Sequence, residues 1–240
     1  MAFPGVLGLL GGSEMGGACE PFDRALLAAA GNPGEVAIVP TAVVRNGSVS
    51  AAMANAHRYF GRRLGLEVHE VPLHRRSDAS RPEVVGALGR SPLTYLLGGD
   101  PGYLLDTLLD SPAWDAIRTS LAGGAALAGS SAGAMVACET LLLRSSNPSP
   151  AARHSRPGLR LMPGVVLIPH LNNFGAAWLA AARREALGRD IVGLDESTGM
   201  VYGGSWSVHG PGRVKLWRKG EEPPQVFQDG DPVRWRAPRL

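Results

Sequence analysis

The stretch LAGSSAGAMVAC, residues 127–138, joins a short apolar segment to a run of small residues and then to a second apolar segment. Its centre, Gly129-Ser130-Ser131-Ala132-Gly133, has the pattern G-x-S-x-G. A serine on a sharp strand-to-helix turn has strained backbone angles, and small neighbours leave room for that turn. The pattern therefore predicts either a nucleophile at Ser131 or close packing of a strand against a helix.

The rest of the chain alternates short apolar runs with longer stretches of helical spacing. Strands are predicted within GVLGLLGG (5–12), EVAIVPTA (35–42), LTYLLGGD (93–100), GAALAGSS (124–131), GVVLIPHLNN (164–173) and DIVGLDEST (190–198). Helical stretches such as 48–65 and 175–188 lie between them. Alternation of this kind predicts an α/β fold with a mostly parallel sheet and helices on both faces. The segment 199–220 alternates apolar and polar residues around Gly-Pro-Gly, which predicts a C-terminal antiparallel hairpin.

Length and composition suit one α/β domain over residues 1–240, with 45% hydrophobic and 19% charged residues. A net charge of +3 is too small to indicate nucleic-acid binding. No apolar run approaches the roughly 20 residues that span a bilayer. Two cysteines without paired spacing fit a reducing cytoplasm. We therefore expect a cytoplasmic monomer or homodimer that binds neither nucleic acid nor membranes.

The segment 144–160, RSSNPSPAARHSRPGLR, breaks the alternation because it is rich in serine, proline and arginine. A loop of this length is uncommon in a compact domain, and most are either functional or disordered. We predict a mobile loop that is either a surface insertion or a lid in contact with substrate. Its arginines, Arg156 among them, either bind a carboxylate by bidentate pairing or remain solvated.

Two further features are predicted at the same sheet edge as Ser131. Gly98 and Gly99 end one buried strand, and His170 ends another. The carboxyl ends of parallel strands share one edge of a sheet, and ligands bind in the crevice beyond it. We therefore expect the amides of Gly99 and Ala132 to form an oxyanion hole and His170 to act as the base for Ser131.

Taken together, these segments resemble the peptidase E and cyanophycinase family of serine exopeptidases. The matching segments are GLLGGSE (8–14), AIVPTA (37–42), YLLGGD (95–100), AGSSAGAMVAC (128–138), GLRLMPGVVLIPH (158–170) and VGLDEST (192–198). The resemblance implies a class I glutamine amidotransferase-like fold, with a flavodoxin-like three-layer arrangement.

The same resemblance implies the chemistry of the site. Ser131 is then the nucleophile, His170 the general base, and the amides of Gly99 and Ala132 the oxyanion hole. The family uses no metal and no dissociable cofactor. Its substrates are short peptides, often with an aspartyl residue, or the aspartate–arginine polymer cyanophycin. We take Asp100 and Arg156 as candidate substrate contacts.

The chain departs from the family at the acid of the catalytic triad. The family places that acid after the nucleophile helix, where this chain reads LLLRSSNPSP (141–150) and contains no carboxylate. Ser146 or Asn147 takes its place, an asparagine orienting the histidine through its side-chain carbonyl. Alternatively, Asp195 or Glu196 reaches His170 from the next strand.

Two positions argue against cyanophycin as the substrate. Cyanophycinase-like enzymes have a glutamine after Gly-Gly-Asp and an aspartate two residues before the histidine. This chain has Pro101 and Ile168 at those positions, so these polar contacts are missing.

Three functions are consistent with the sequence. The first is a serine peptidase of the exopeptidase or dipeptidase type, which forms an acyl-enzyme on Ser131. The second is an α/β-hydrolase esterase with Ser131, Asp195 and His209 in that chain order. The third is a catalytically weak or silent binding protein on the same scaffold, which the missing carboxylate suggests.

Overall fold

The computed structural model describes residues 3–144, 153–219 and 221–240, and all elements below lie in these ranges. The strands are β1 (Val6–Leu10), β2 (Glu35–Val39), β3 (Glu67–Glu70), β4 (Leu93–Leu96), β5 (Ala126–Ser130), β6 (Cys138–Arg144), β7 (Arg153–Pro157), β8 (Met162–Ile168), β9 (Asp190–Leu194), β10 (Gly199–Tyr202), β11 (Trp206–His209), β12 (Val214–Trp217), β13 (Gln225–Phe227) and β14 (Pro232–Val233). The helices are α1 (Glu20–Ala29), α2 (Val49–Ala56), α3 (Pro82–Arg90), α4 (Pro101–Leu108), α5 (Pro112–Ala122), α6 (Ala132–Val136) and α7 (Leu171–Glu185). Within this described part, no helix has both the length and the apolar character needed to cross a bilayer.

The larger sheet has eight strands in the order β14-β11-β10-β1-β5-β4-β2-β3. The five strands β1, β5, β4, β2 and β3 are parallel to one another, whereas β10, β11 and β14 are antiparallel additions at one side. The predicted α/β fold with a mostly parallel sheet and antiparallel C-terminal strands is therefore confirmed.

Alternate residues of a strand point to opposite faces of the sheet, and here apolar residues point to both. Helices cover both faces and bury these residues. On β1, Leu7 and Leu9 belong to one buried core, which includes residues of α3, α4 and α5. Val6 and Leu10 belong to a second core, which includes residues of α1 and α2. The uninterrupted apolar sequence of β1 thus matches a strand buried on both faces.

A second sheet of six strands, in the order β13-β12-β9-β8-β6-β7, was not predicted. Its strand β6 follows α6, which ends at Val136, and lies in an apolar stretch that was not predicted as a strand. A short apolar run such as TLLL (140–143) fits a buried strand as well as a helix, and periodicity does not separate the two.

Two further segments differ from their predictions. Within the predicted loop 144–160, residues Arg153–Pro157 form β7, which pairs antiparallel with β6. The predicted hairpin 199–220 is a hairpin only over β10 and β11. The Gly-Pro-Gly turn at 210–212 then leads to β12, which pairs with β9 in the second sheet. Local pattern predicts a strand, but not which strand it pairs with.

Candidate active site

Ser131 lies on the turn between β5 and α6, with backbone angles φ 46° and ψ −104°. Such a positive φ is strained for a residue with a side chain. The neighbouring glycines make the turn possible: a Cβ at Gly129 would lie 2.3 Å from the Gly133 carbonyl carbon, and one at Gly133 would lie 2.3 Å from the Leu96 oxygen. The small residues therefore pack the strand closely against the helix, and this close packing permits the strained backbone of Ser131.

The side chain of His170 faces this serine. Its Nε2 lies 3.0 Å from Ser131 Oγ, within reach of proton transfer. His170 has a left-handed backbone conformation, and its amide donates to the carbonyl of Gly11 at 2.8 Å. The imidazole packs directly on Gly12, where a Cβ would lie 2.2 Å from Cε1. The predicted pairing of a strand-end histidine with Ser131 is thus present in the structure.

The carboxylate of Glu196 contacts the other nitrogen of the imidazole. Its Oε1 lies 2.8 Å from His170 Nδ1, and both side chains are half-buried. The hydrogen bond from His170 is the main cause that lowers the pKa of Glu196, and Asn173 and Ser13 contribute hydrogen bonds in the same direction. A carboxylate at Nδ1 selects the tautomer whose Nε2 lone pair faces Ser131.

The other candidates for the third member have different positions. Asp195 Oδ2 accepts a hydrogen bond from the amide of Arg213 at 2.8 Å and so stabilises a neighbouring turn. Ser146 and Asn147 lie outside the described residues. Of the two carboxylates predicted to reach His170, the structure brings Glu196 to it.

The predicted esterase triad is not assembled. His209 Nε2 forms a hydrogen bond with Ser207 Oγ at 2.8 Å, on β11. Asp195 has the turn contact described above, and Ser131 pairs with His170 instead. The chain order serine, aspartate, histidine therefore does not correspond to a spatial arrangement in this fold.

Gly99 and Ser131 line the same cavity. The φ of Gly99 is +141°, and a Cβ there would lie 2.2 Å from the carbonyl oxygen of Ala42, so the position requires glycine. Ala132 is fully buried at the start of α6, directly after the serine. The two residues predicted to donate amides to an oxyanion thus belong to the turns after β4 and β5, and both turns contribute to the lining of this cavity.

Glu14 is a residue of the site to which the sequence assigned no role. Its Oε1 accepts a hydrogen bond from the amide of Gly98 at 2.8 Å, and its Oε2 accepts one from Ser130 Oγ at 2.7 Å. One carboxylate therefore joins the residue before Gly99 to the residue before Ser131. The only sequence signal was its place just after β1, at the edge where the other site residues cluster.

Residues 10–14, which we call the β1 loop, contact the segments that carry Ser131, His170, Glu196 and Gly99. The carbonyl oxygens of residues 10, 11 and 12 accept one backbone hydrogen bond each, from Ser131, His170 and Ser197, at 2.9, 2.8 and 2.9 Å. Ser197 directly follows Glu196, and Glu14 adds its two side-chain contacts. The loop thus fixes residues of both sheets relative to one another.

A buried carboxyl group lies near the β1 loop. Asp23, on α1, accepts a hydrogen bond from the hydroxyl of Tyr59 at 2.8 Å and is completely buried. Burial is the main cause that raises the pKa of Asp23 to about 7, and the charge of Glu14 acts in the same direction.

The cavity next to Ser131 has a volume of about 520 Å³ and a mixed lining. Its polar lining residues include Arg45, Asp100, Tyr103 and Asp106. Its apolar lining residues include Met135, Leu143, Phe174 and Trp178. Arg144 and His154 also line the cavity.

Asp100 and Arg156, the two predicted substrate-binding residues, both interact with other residues of the chain. Asp100 Oδ1 accepts from the amide of Tyr103 at 2.9 Å and caps α4, while its Oδ2 lies 4.0 Å from Arg45. Arg156 forms an ion pair with Asp106 at 2.8 Å, so it reaches the cavity only through that pair. A role for either residue in substrate binding stays a prediction.

One group of side chains with the chemistry of a metal site occurs in the described part of the chain. Glu35, Glu67 and His69 lie on β2 and β3, with ligand atoms within 4.8 Å of one another. His69 Nε2 lies 3.2 Å from Glu35 and 3.5 Å from Glu67, and all three are solvent-accessible. Glu35 and Glu67 are the first residues of β2 and β3, whereas the cavity lies beyond the carboxyl ends of the parallel strands.

Two cyanophycinases resemble this chain in sequence. The proteins from Nostoc sp. (strain PCC 7120) and Trichormus variabilis are each 30% identical to it over 164 aligned residues, and the match covers 64% of this chain and 54% of the relative. The chain therefore spans about half the length of these curated relatives.

Two solved structures resemble it over nearly the whole chain. The crystal structure of a peptidase from an acI-B1 actinobacterium has a TM-score of 0.83 and 30% identity, and the match covers 96% of this chain and 97% of that one. A candidate peptidase E from Listeria monocytogenes has a TM-score of 0.63 and 19% identity, covering 89% and 98%, which shows a shared fold. Residues 7–206 match the model of peptidase family S51. The predicted resemblance is confirmed, and the chain belongs to peptidase family S51.

Proposed function

We propose that this protein is a serine peptidase that cleaves short peptides through an acyl-enzyme on Ser131. His170 is the general base, and Glu196 is the acid that orients it. The observation that carries the proposal is the continuous chain from Ser131 Oγ to His170 Nε2, 3.0 Å, and from His170 Nδ1 to Glu196 Oε1, 2.8 Å. Family membership supports the same reaction class.

The geometry supports two chemical steps. Ser131 Oγ attacks the peptide carbonyl while His170 Nε2 takes its proton, and the amides of Gly99 and Ala132 stabilise the resulting oxyanion. His170 then gives that proton to the departing amine, which leaves an ester on Ser131. A water molecule hydrolyses the ester, with His170 again as base.

Glu196 stabilises the imidazolium that forms in both steps. The hydrogen bond from His170 lowers the pKa of Glu196, so its carboxyl group stays ionised at pH values below the usual titration range of glutamate. In this proposal the triad acid is Glu196, which follows β9, so the triad does not need a carboxylate after the nucleophile helix. This removes the main argument for a silent binding protein.

The cavity supports a small substrate. Its volume of about 520 Å³ falls in the range of about 300–1,000 Å³ that is typical of small-molecule sites. We favour short peptides over cyanophycin because Pro101 and Ile168 offer no polar side-chain contact at their positions. A preference for an aspartyl residue would involve Arg45, whose guanidinium lies 4.3 Å from the ring centre of Tyr103.

A panel of dipeptides and tripeptides, with acidic and neutral N-terminal residues and cyanophycin as a further substrate, tests this function. We expect hydrolysis by the wild type, loss of hydrolysis in Ser131→Ala and in His170→Ala, and retained hydrolysis in the control His209→Ala. Activity that needs His209 but not His170 would favour the esterase alternative. A folded wild type that cleaves none of the peptides would favour the binding protein.

Three predictions stay predictions. They are a single domain over residues 1–240, a cytoplasmic location, and a monomeric or homodimeric state. Sedimentation analysis of the purified protein tests the last of these.

A further inference from the structure

The position of His170 determines where the departing half of a substrate lies. His170 Nε2 must give its proton to the amine that leaves, so that amine lies on the side of His170 when the bond breaks. The carbonyl oxygen points the other way, towards the amides of Gly99 and Ala132. This reasoning rests on the proposed function, because it assumes that Ser131 attacks a peptide bond.

An aromatic face lies on the His170 side of the cavity. Helix α7 starts directly after His170, and Phe174 and Trp178 are four residues apart, so they lie on the same face of the helix. Both side chains line the cavity. The ring of Phe174 meets that of His170 edge-on, with centroids 6.1 Å apart.

Phe174 is more exposed to solvent than is usual for a large apolar side chain. Its relative exposure is 57%, whereas most phenylalanines of the described chain are buried. An exposed aromatic ring that touches a predicted catalytic histidine gains apolar contact only when a substrate covers it. Met135 and Leu143 also line the cavity, and both are buried.

Charged residues also line the cavity: Arg45, Asp100 and Asp106, together with the hydroxyl-bearing ring of Tyr103. The ring of Phe174 meets that of His170, which gives its proton to the departing amine. The departing half of the substrate therefore lies against Phe174.

We propose that Phe174 and Trp178 form the subsite for the departing residue, and that this residue has an apolar or aromatic side chain. The enzyme then releases amino acids such as leucine or phenylalanine from the C-terminal side of the cleaved bond. Phe174 is the specificity-determining residue of this subsite.

Dipeptides with one fixed N-terminal residue and phenylalanine, leucine, alanine or aspartate as the second residue test the subsite. We expect kcat/KM to be about tenfold or more higher for phenylalanine and leucine than for alanine and aspartate. Phe174→Ala should lower kcat/KM about tenfold for the phenylalanine substrate and less than about twofold for the alanine substrate. Phe174→Leu should restore most of the preference, because leucine keeps an apolar contact at that position.

Leu187→Ala is a matched control. Leu187 is also a large exposed apolar residue, 76% accessible, but it follows the end of α7 and does not line the cavity. We expect it to change neither the rate nor the preference. Circular dichroism and thermal unfolding of each variant show whether it is folded.

The outcomes separate this inference from the proposed function. Equal kcat/KM for all four second residues in an active wild type would overturn the subsite and leave the peptidase in place. An equal loss on every substrate in Phe174→Ala would also overturn it, since Phe174 would then act only by positioning His170. Absence of any hydrolysis by the folded wild type would instead contradict the proposed function.

Discussion

The β1 loop and the cavity face of α7 both contact His170, but the loop acts through backbone groups and the helix acts through side chains. The β1 loop uses backbone carbonyls and glycines, and three of its oxygens hold the segments of Ser131, His170 and Glu196. The α7 face presents the side chains of Phe174 and Trp178 to the cavity. A backbone contact is lost only when the path of the chain changes. A side-chain contact is lost when that one residue is substituted.

This difference predicts two classes of mutational effect. Changes at the β1 loop and its partners should alter the reaction itself, for every substrate. Changes at the α7 face should alter the choice among substrates. Each experiment below tests one side of this distinction.

The largest effect is expected for Glu196→Gln. The amide keeps the shape of the side chain but loses the charge that stabilises the imidazolium, and it can donate to Nδ1 and favour the wrong tautomer. We expect kcat/KM to fall by about 10³–10⁴ on all substrates, as measured by peptide hydrolysis at neutral pH.

Asp195→Asn is the matched control, because it changes the adjacent carboxylate, which accepts from Arg213 rather than from His170. A change of less than about threefold is expected there. Near-wild-type activity in Glu196→Gln would show that another residue, such as Asn147, orients His170.

The next effect is expected for Gly12→Ala. A Cβ at Gly12 would lie 2.2 Å from His170 Cε1, so the imidazole must move, and small displacements of reacting groups cost about 10²-fold in rate. We expect a loss of about 10²–10³-fold in kcat/KM on all substrates.

Gly204→Ala separates this contact from backbone strain. Gly204 has a φ of +101°, comparable with the +127° of Gly12, but nothing lies within 4 Å of its Cβ position. The control should lose some thermal stability and keep its activity. Equal losses of activity in both variants would mean that strain, not the contact with His170, causes the effect.

Glu14→Gln should have a smaller effect. In glutamine an NH2 donor replaces one of the two acceptor oxygens, and the negative charge that strengthens both hydrogen bonds is lost. The contacts with Gly98 and Ser130 weaken even when the Ser130 hydroxyl turns to accept, so the turns that carry Gly99 and Ser131 become less well fixed. We expect kcat to fall about tenfold with little change in KM, because removal of a whole oxyanion donor costs about 10²–10³.

Glu83→Gln serves as the control on the surface, since Glu83 is an exposed residue paired with Arg81. It should leave both constants unchanged. A rise in KM at constant kcat in Glu14→Gln would contradict a positioning role and indicate a contact with substrate.

The smallest effect on activity is expected for Asp23→Asn, which tests the buried group near the β1 loop. The unfolded chain ionises Asp23 above about pH 4, whereas the folded protein keeps it protonated up to a pKa of about 7. The destabilisation from burying this carboxyl group therefore grows as the pH rises from 4 to 7. The asparagine carries no such pH-dependent penalty.

Urea unfolding at pH 5 and pH 8 measures this effect. We expect the stability of Asp23→Asn relative to the wild type to rise by about 2 kcal/mol between these pH values. A difference that is the same at both pH values would show that Asp23 is already ionised in the folded protein at pH 5.

The sequence predicted those parts of the site that have local signatures. Ser131 was visible because its strained turn needs small neighbours on both sides, and Gly99 because a turn at φ +141° needs glycine. His170 was visible because it ends an apolar strand. These signals all lie within a few residues of the group they mark.

The parts that were missed depend on pairing between distant segments. Glu14 reaches Ser130 across 116 positions of the chain, and no local pattern records that contact. Glu196 was one of four candidates, because choosing it requires knowing that β8 and β9 are neighbours. The second sheet was missed for the same reason, since the pattern of β6 or β12 does not reveal a partner.

Labelling with a fluorophosphonate, followed by mass spectrometry of the modified peptide, tests the central claim most directly. Ser130 and Ser131 are adjacent, but Ser130 is buried and donates to Glu14, whereas Ser131 Oγ faces His170. We predict a single adduct on Ser131, no adduct in Ser131→Ala, and much slower labelling in Glu196→Gln. An adduct on Ser130 or elsewhere, or none in the folded wild type, would contradict the Ser131–His170–Glu196 assignment.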